Sequence, residues 1–154
     1  MFTPKRKVTL LLLFLPLAFL QAQGNAGELN PVSFIGMKLD ELIRNFGVPG
    51  SVYPVRGVEA WQDDVVFVYE QGDFYIVKDR IWQAGLREVR GIKTGDTRGV
   101  VSLIMGSAYG FTEAESRSDS VLYSLNEGAW PMMLRFDFDS AARVKAIFIY
   151  RTDI

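Results

Sequence analysis

The stretch Met132-Met133-Leu134-Arg135-Phe136-Asp137-Phe138 alternates between apolar and polar side chains with a period of two. Successive side chains of a β-strand point to opposite faces of a sheet, so every second residue from Met132 to Phe138 is predicted to face a core. Arg135 and Asp137 are predicted to face water. The stretch therefore predicts a half-buried strand, and with it a sheet that has one buried face.

Further strands are predicted on both sides of this one. Residues 121–125 precede it, and residues 144–151 follow it after the turn Asp139-Ser140-Ala141-Ala142. Residues 65–69 and 74–78 flank Gln71-Gly72-Asp73 and are typical of a β-hairpin, with a third strand predicted over 81–86. Residues 112–120 are predicted to be a loop or a single helical turn.

Two segments, each bounded by glycines eleven residues apart, predict helices. In the first, from Gly36 to Gly47, four apolar residues fall on one helical face, namely Leu39, Leu42, Ile43 and Phe46. The second runs from Gly95 to Gly106, with Asp96 as the predicted N-cap and an apolar face of Val100, Val101, Ile104 and Met105. Gly47 and Gly106 are predicted to end these helices.

These elements predict an α+β fold that is a tandem repeat of one helix and about three antiparallel strands, with the helices packed on one face of the sheet. The repeats span about residues 33–88 and 89–154 of a single domain, 33–154. The alternative is that two short glycine-bounded helices match by chance. The shared order of elements after each helix favours the repeat.

The N-terminus has the features of an export signal over residues 1–24. Lys5, Arg6 and Lys7 precede an apolar run of thirteen residues, 8–20, which is shorter than the roughly 20 apolar residues that span a bilayer. Small residues favour cleavage after Gly24 or Ala26, and cleavage after Ala22 remains open. A retained N-terminal anchor is the alternative. Residues 25–32 are predicted to be a tether, and we expect a periplasmic or secreted protein without a stable membrane span after cleavage.

Composition excludes several classes of chemistry. The chain has neither cysteine nor histidine, so disulfides, thiolate nucleophiles and Ser-His-Asp catalysis are absent. We expect no cofactor and no metal. Without the three basic residues of the leader, 14 Lys and Arg stand against 18 Asp and Glu. A net charge of −4 argues against nucleic acid and anionic membranes as partners.

The segment Gly36-Met37 to Phe46-Gly47-Val48-Pro49, followed by Trp61 and a hairpin, resembles the helix opening of the outer-membrane assembly accessory family (the BamE or SmpA/OmlA type). It is also similar to the tandem-repeat fold of the β-lactamase inhibitor protein family. The second copy departs from the pattern, with Ala108 where proline is expected. The resemblance implies a sheet with one face free to bind a protein, and it implies no catalysis. Many assembly accessory proteins carry a lipid-anchored cysteine, which this chain lacks.

The candidate partner-binding residues are mostly aromatic. Tyr75 and Val77 alternate with Phe74 and Ile76, so they are predicted to face the open side of the sheet if the latter two are buried. The three tryptophans are further candidates, with core packing as the alternative for each of them: Trp61, Trp82 and Trp130.

Acidic residues supply no clear catalytic pair. Asp63-Asp64, Glu113 with Glu115, and Asp137 with Asp139 are interpreted as solvated charges or turn residues, because neighbours in sequence do not establish convergence on a cleft. The leading prediction is a non-enzymatic, exported protein-binding or envelope-assembly module. The alternatives are an inhibitor of an envelope or secreted enzyme, and a carboxylate-based envelope hydrolase.

Overall fold

The computed structural model describes residues 30–58, 63–108, 113–126 and 128–154. The predicted signal, residues 1–24, lies outside these ranges, as does most of the predicted tether. The two short α-helices are Leu39–Phe46 (α1) and Arg98–Ser102 (α2). A 3-10 turn, Pro31–Phe34, precedes α1, and a π-helical stretch, Leu103–Ala108, follows α2. The strands within the described ranges are Ser51–Val55 (β1), Asp64–Val68 (β2), Gly72–Val77 (β3), Arg80–Leu86 (β4), Glu88–Val89 (β5), Ile92–Lys93 (β6), Glu113–Ser116 (β7), Ser120–Leu125 (β8), Met132–Phe138 (β9) and Val144–Arg151 (β10).

Eight of these strands form one antiparallel sheet in the order β1-β2-β3-β4-β10-β9-β8-β7, while β5 and β6 pair separately. The two halves of the sheet join at the pairing of β4 with β10, where Ala84 lies opposite Ile149. Strands that are far apart in sequence thus meet at the centre of the sheet, and the two halves of the chain share one continuous hydrogen-bonded layer.

One face of the sheet is buried, and we call it the core face. A single row of cross-strand partners on it contains five residues that are at most 1% exposed: Phe74, Ala84, Ile149, Leu134 and Tyr123. In β9 the residues Met132, Leu134, Phe136 and Phe138 are all buried, which confirms the alternation that the sequence predicts.

Aromatic side chains from the first helical segments pack against β3. The ring of Phe74 lies 5.2 Å from that of Phe34 and 6.0 Å from that of Phe46, measured between centroids. Tyr69 completes this cluster at 5.8 Å from Phe74, and its hydroxyl donates to the carbonyl of Gly47 at 3.1 Å. Leu42 of α1 is fully buried beside them. Aromatic contacts of this kind add to the stabilisation from burial itself.

The connections into the two α-helices share a backbone arrangement. Gly36 and Gly95 have φ values of 84° and 95°, a region that favours glycine. Each N–H donates at 2.8 Å to a carbonyl of the sheet, that of Ile81 or of Val144. An arginine donates to each glycine carbonyl in return, Arg80 at 2.8 Å and Arg143 at 2.9 Å.

The predicted fold class is wrong. The structure is dominated by an eight-stranded antiparallel sheet with two short helices, and it is not a tandem repeat of one helix and about three strands with helices packed on a sheet. The second glycine-bounded segment forms five α-helical residues before it passes into the π-helical stretch. The structure also contains more strands than the sequence predicts. The edge strands β1 and β7 are missed because their residues are exposed and show no apolar alternation.

Three local predictions are corrected as well. The N-cap of α2 is Thr97, whose hydroxyl accepts from the N–H of Val100, whereas Asp96 accepts from the N–H of Lys93. Gly106 lies within the π-helical stretch and does not end a helix. Residues 113–116 form the edge strand β7 in place of a loop or helical turn. The turn at Asp139 is confirmed, since its carboxylate accepts from two backbone N–H groups, those of Ala141 and Arg143.

Candidate binding face

The second face of the sheet, which we call the open face, carries a row of large side chains. Residues next to each other along a strand point to opposite faces, and cross-strand partners point to the same face. The neighbours of the core-face residues therefore lie on the open face. The row crosses seven strands through the pairs that join Tyr53, Val66, Tyr75, Gln83, Tyr150, Met133 and Ser124. Tyr75, Tyr150 and Met133 are each partly exposed. Three tyrosines and a methionine therefore lie along this row of the open face, with Gln83 between Tyr75 and Tyr150.

A second row runs beside the first on the open face. It contains Val68, Asp73, Gly85, Phe148, Arg135 and Leu122 as consecutive cross-strand partners. The Phe148 ring lies against Gly85, at ordinary van der Waals distance from where a Cβ would be (3.4 Å). The guanidinium carbon of Arg135 lies 5.2 Å from the centroid of Phe148, and its Nη2 donates to Asp137 at 2.9 Å. Apolar and charged groups thus lie side by side in this row.

Asp64 is a buried carboxylate on the open face. It lies two residues from Val66 in β2, so both point to the same side of the sheet. The residue is 8% exposed, and its Oδ1 accepts from the indole Nε1 of Trp82 at 3.1 Å. Burial raises the pKa of Asp64, the indole hydrogen bond opposes that shift, and the charge of Asp63 adds to it.

Tyr75 lies close to this carboxylate. Burial raises the pKa of the Tyr75 phenol, and the charges of Tyr53, Asp73 and Asp64 raise it further. Asp73 is itself paired with Arg87 at 2.6 Å. The end of the open face formed by β1, β2 and β3 therefore combines tyrosines with acidic groups.

The predicted phase of β3 agrees with the structure. Phe74 is fully buried and Ile76 is 8% exposed, whereas Tyr75 and Val77 are partly exposed on the opposite side. Trp82 reaches the same face from a β-bulge in β4, where Gln83 lies opposite Tyr75 and Ile81 lies opposite Ile76. The structure thus brings three of the predicted candidates to the open face. Trp61 lies outside the described residues.

Trp130 lies away from the open face and packs against the core. Its indole sits against Gly36, where a Cβ would approach Nε1 to 2.5 Å. The guanidinium carbon of Arg151 lies 3.8 Å from the centroid of one of its rings. Packing against the core, the alternative considered for each tryptophan, fits this environment.

Of the acidic residues singled out in the sequence, Glu115 and Asp137 line one depression, and each is paired with an arginine there. Asp64 is on β2 and Glu113 on β7, which are six strand spacings apart, or about 29 Å. Asp63 is paired with Arg56, whose hydrogen bond lowers the pKa of that carboxyl. Glu115 is paired with Arg117 at 2.5 Å. Within the described ranges, no group of three or more acidic residues is placed to hold a metal ion.

Shallow depressions border the open face. One of about 430 Å³ is lined by Leu122, Arg135, Asp137 and Tyr150 among others. A second of about 600 Å³ lies at the junction of β4 and β10 and includes Val77 and Trp82. In the part of the chain that the structure describes, no helix has the length and apolarity needed to cross a membrane.

Several aromatic residues of this face were not identified from the sequence. Phe148 and Tyr150 alternate with the buried Ile147 and Ile149, so the period of β10 contains the necessary signal. Tyr53 has no such signal, because every residue of β1 is exposed and Pro54 interrupts the strand pattern. The position of Asp64 depends on the bulge that delivers Trp82, which a sequence pattern does not reveal.

Comparisons with known proteins give a likeness in fold. No family model and no curated protein matches the sequence. The chain is similar to a solved structure described as an extracellular protein containing a SCP domain, from Bacillus anthracis str. Ames. The TM-score is 0.53 at 12% sequence identity, and the match covers 99% of this chain and 50% of the other. The chain thus spans half the length of that protein, and the likeness concerns the fold alone.

Proposed function

We propose that this protein is an exported, non-enzymatic module that binds a protein partner, or takes part in envelope assembly, through its open face. The observation that carries the proposal is the two adjacent rows of partly exposed large side chains, including Tyr75, Tyr150, Met133, Phe148 and Leu122. Aromatic residues, methionine and arginine are enriched in protein interfaces.

Two observations support export. Residues 1–24 combine a basic start, a short apolar run and small residues in the order of a secretory signal. The solved structure with a similar fold is described as extracellular. The periplasm or the medium is therefore the proposed location, and the partner is expected there.

The chemistry of the open face also favours binding over hydrolysis. A hydrolase that works with two carboxylates needs them roughly 5 to 10 Å apart on one cleft. Asp64 and Glu113 lie near opposite edges of the sheet, and Glu115 and Asp137, which line one depression, are each paired with an arginine. The depressions along the open face are shallow and shared between many strands. A broad face of this form suits a partner surface better than a small substrate.

Affinity capture from the native envelope and culture medium tests the proposal. Tagged wild-type protein is compared with the double variant Tyr75→Ala/Tyr150→Ala, and Leu103→Ala, a site that is 63% exposed on the π-helical stretch, is the matched control. Loss of a central aromatic contact typically costs about 2 kcal/mol or more, which is about thirtyfold in affinity. We expect the double variant to lose the captured species and the control to retain it. Equal capture by all three proteins would contradict the proposal.

A further inference from the structure

Among the described residues, Asp64 lacks the cation that a buried carboxylate ordinarily requires. The ion pairs found in residues 30–58, 63–108, 113–126 and 128–154 involve other carboxylates and do not reach Asp64. A charged group that is withdrawn from water is costly unless it is paired with an opposite charge. The hydrogen bond from Trp82 gives Asp64 a donor but does not neutralise its charge, because an indole carries no formal charge.

Aromatic side chains lie near the carboxylate on the open face, beside its direct cross-strand partner Val55. Tyr53 and Tyr75 both lie opposite Val66, and Asp64 is two residues away from Val66 on the same strand. Asp64 is therefore the diagonal neighbour of both tyrosines, at a typical Cβ separation of about 7 to 8 Å. Val66 is fully buried although it lies on the open face, so the surrounding side chains close over it. The indole of Trp82 completes the group through its hydrogen bond to Asp64.

A carboxylate beside aromatic rings is suited to a cation. Positive groups are attracted to the faces of tryptophan and tyrosine, and the attraction grows when the site is shielded from water. Asp64 is 8% exposed, so it is largely but not wholly enclosed. Arginine fits this combination particularly well, because its planar guanidinium stacks on aromatic rings while it donates to a carboxylate.

We propose that the open face receives a cationic side chain of the protein partner, an arginine or a lysine, at Asp64 among Tyr53, Tyr75 and Trp82. This inference rests on the proposed function and adds the chemistry of the partner to it. The partner side chain supplies the positive charge that Asp64 lacks, and the aromatic rings hold its apolar stem and its charged end. A basic protrusion on the partner would therefore bind at the end of the sheet formed by β1, β2 and β3.

The indole N–H resonance of Trp82 in a ¹⁵N-labelled protein is a direct probe, since this N–H donates to Asp64. The resonance is assigned by its loss in Trp82→Phe. The ligand is N-acetyl-arginine amide, and the matched control is N-acetyl-citrulline amide, which has nearly the same shape without the charge. We expect a saturable shift with the arginine compound in the millimolar range and none with the citrulline compound.

Asp64→Asn and Tyr53→Ala separate the contributions of charge and ring. The amide oxygen of the asparagine in Asp64→Asn can still accept the indole hydrogen bond, so the fold is kept while the charge is removed. We expect Asp64→Asn to weaken arginine binding about tenfold, as loss of a charge-assisted contact does, and Tyr53→Ala to weaken it by a smaller factor. The remainder of the spectrum reports whether each variant is folded.

The inference is overturned if Trp82 does not respond to the arginine compound, if it responds equally to both compounds, or if a folded Asp64→Asn binds as tightly as wild type. None of these results depends on capture of a partner. Failure of the cation site and failure of the proposed function are therefore distinguished, because the first is read from the titration and the second from the capture experiment.

Discussion

Truncation of Phe74 tests the division of the sheet into a core face and an open face. Phe74 is fully buried and contacts the rings of Phe34, Phe46 and Tyr69. Phe74→Ala removes this burial and leaves a cavity, for which core Phe→Ala substitutions cost about 3 to 5 kcal/mol. For a domain of this size, where 1 kcal/mol corresponds to roughly 3 to 5 °C, the melting temperature should fall by about 10 to 25 °C.

The adjacent substitution Tyr75→Ala is the matched comparison. Tyr75 is only partly buried on the open face, so its truncation should cost about 1 kcal/mol, roughly half of what full burial of a large side chain contributes. Urea unfolding followed by circular dichroism gives both free energies of unfolding, provided that the slope of each transition is unchanged. If Tyr75→Ala is as destabilising as Phe74→Ala, the assignment of the two faces is wrong.

Three further predictions concern the sheet and its buried carboxylate. Gly72→Ala should destabilise the protein by about 1 to 3 kcal/mol in urea unfolding, because the new Cβ would collide with the carbonyl oxygen of Gly85. The control Gly106→Ala meets no atom within 4 Å and should be tolerated, so equal destabilisation by both substitutions would contradict the close approach of β3 and β4. The free energy of unfolding of Asp64→Asn minus that of wild type should increase as the pH rises from about 3.8 through the higher folded-state pKa of Asp64, because over this range folded wild type retains a proton that the unfolded chain has lost. This difference between the two free energies should level off at lower pH, and a constant difference across the range would refute the raised pKa. A fragment of residues 27–88 should show no cooperative melt by calorimetry, since its last strand loses the β10 partner that it has in the whole protein, and a sharp transition would show that this half folds alone.

The sequence allowed the central strands to be located but not the architecture of the sheet. Strands β3, β9 and β10 have one buried and one open side, so their period of two marks both position and phase. The edge strands β1 and β7 are exposed on both sides and carry no such period. The pairing of β4 with β10 joins residues more than sixty positions apart, and no local pattern encodes that contact.

The sequence predicts longer helices than the structure contains, and it gives them a larger share of the fold. In the second glycine-bounded segment, apolar spacing continues past Ser102, but the backbone changes there to a π-helical path, so the same residues no longer form one regular face. Val101 and Met105 are nevertheless both fully buried. Apolar spacing therefore identified Val101 and Met105 as core residues while it overestimated the helix that carries them, and Ile43 of the first segment is 41% exposed.

The candidate face was predictable in part. Tyr75 follows from the phase of β3 alone, and the structure places it on the open face. Trp130 could not be separated from the other tryptophans by sequence, because its role depends on the close approach of Gly36 and Arg151. The pairing of Trp82 with Asp64 depends on a β-bulge and on the register of three strands, which are properties of the folded sheet.

Site-specific cross-linking in the native host tests most directly whether the open face is the contact surface. A photoreactive phenylalanine replaces Gln83, at the centre of the open face, and in a second protein it replaces Glu41, an exposed residue of α1. We expect irradiation to join the Gln83 variant to a discrete partner and to leave the Glu41 variant without that product. A partner cross-linked from Glu41 and not from Gln83 would contradict the assignment of the open face as the binding surface.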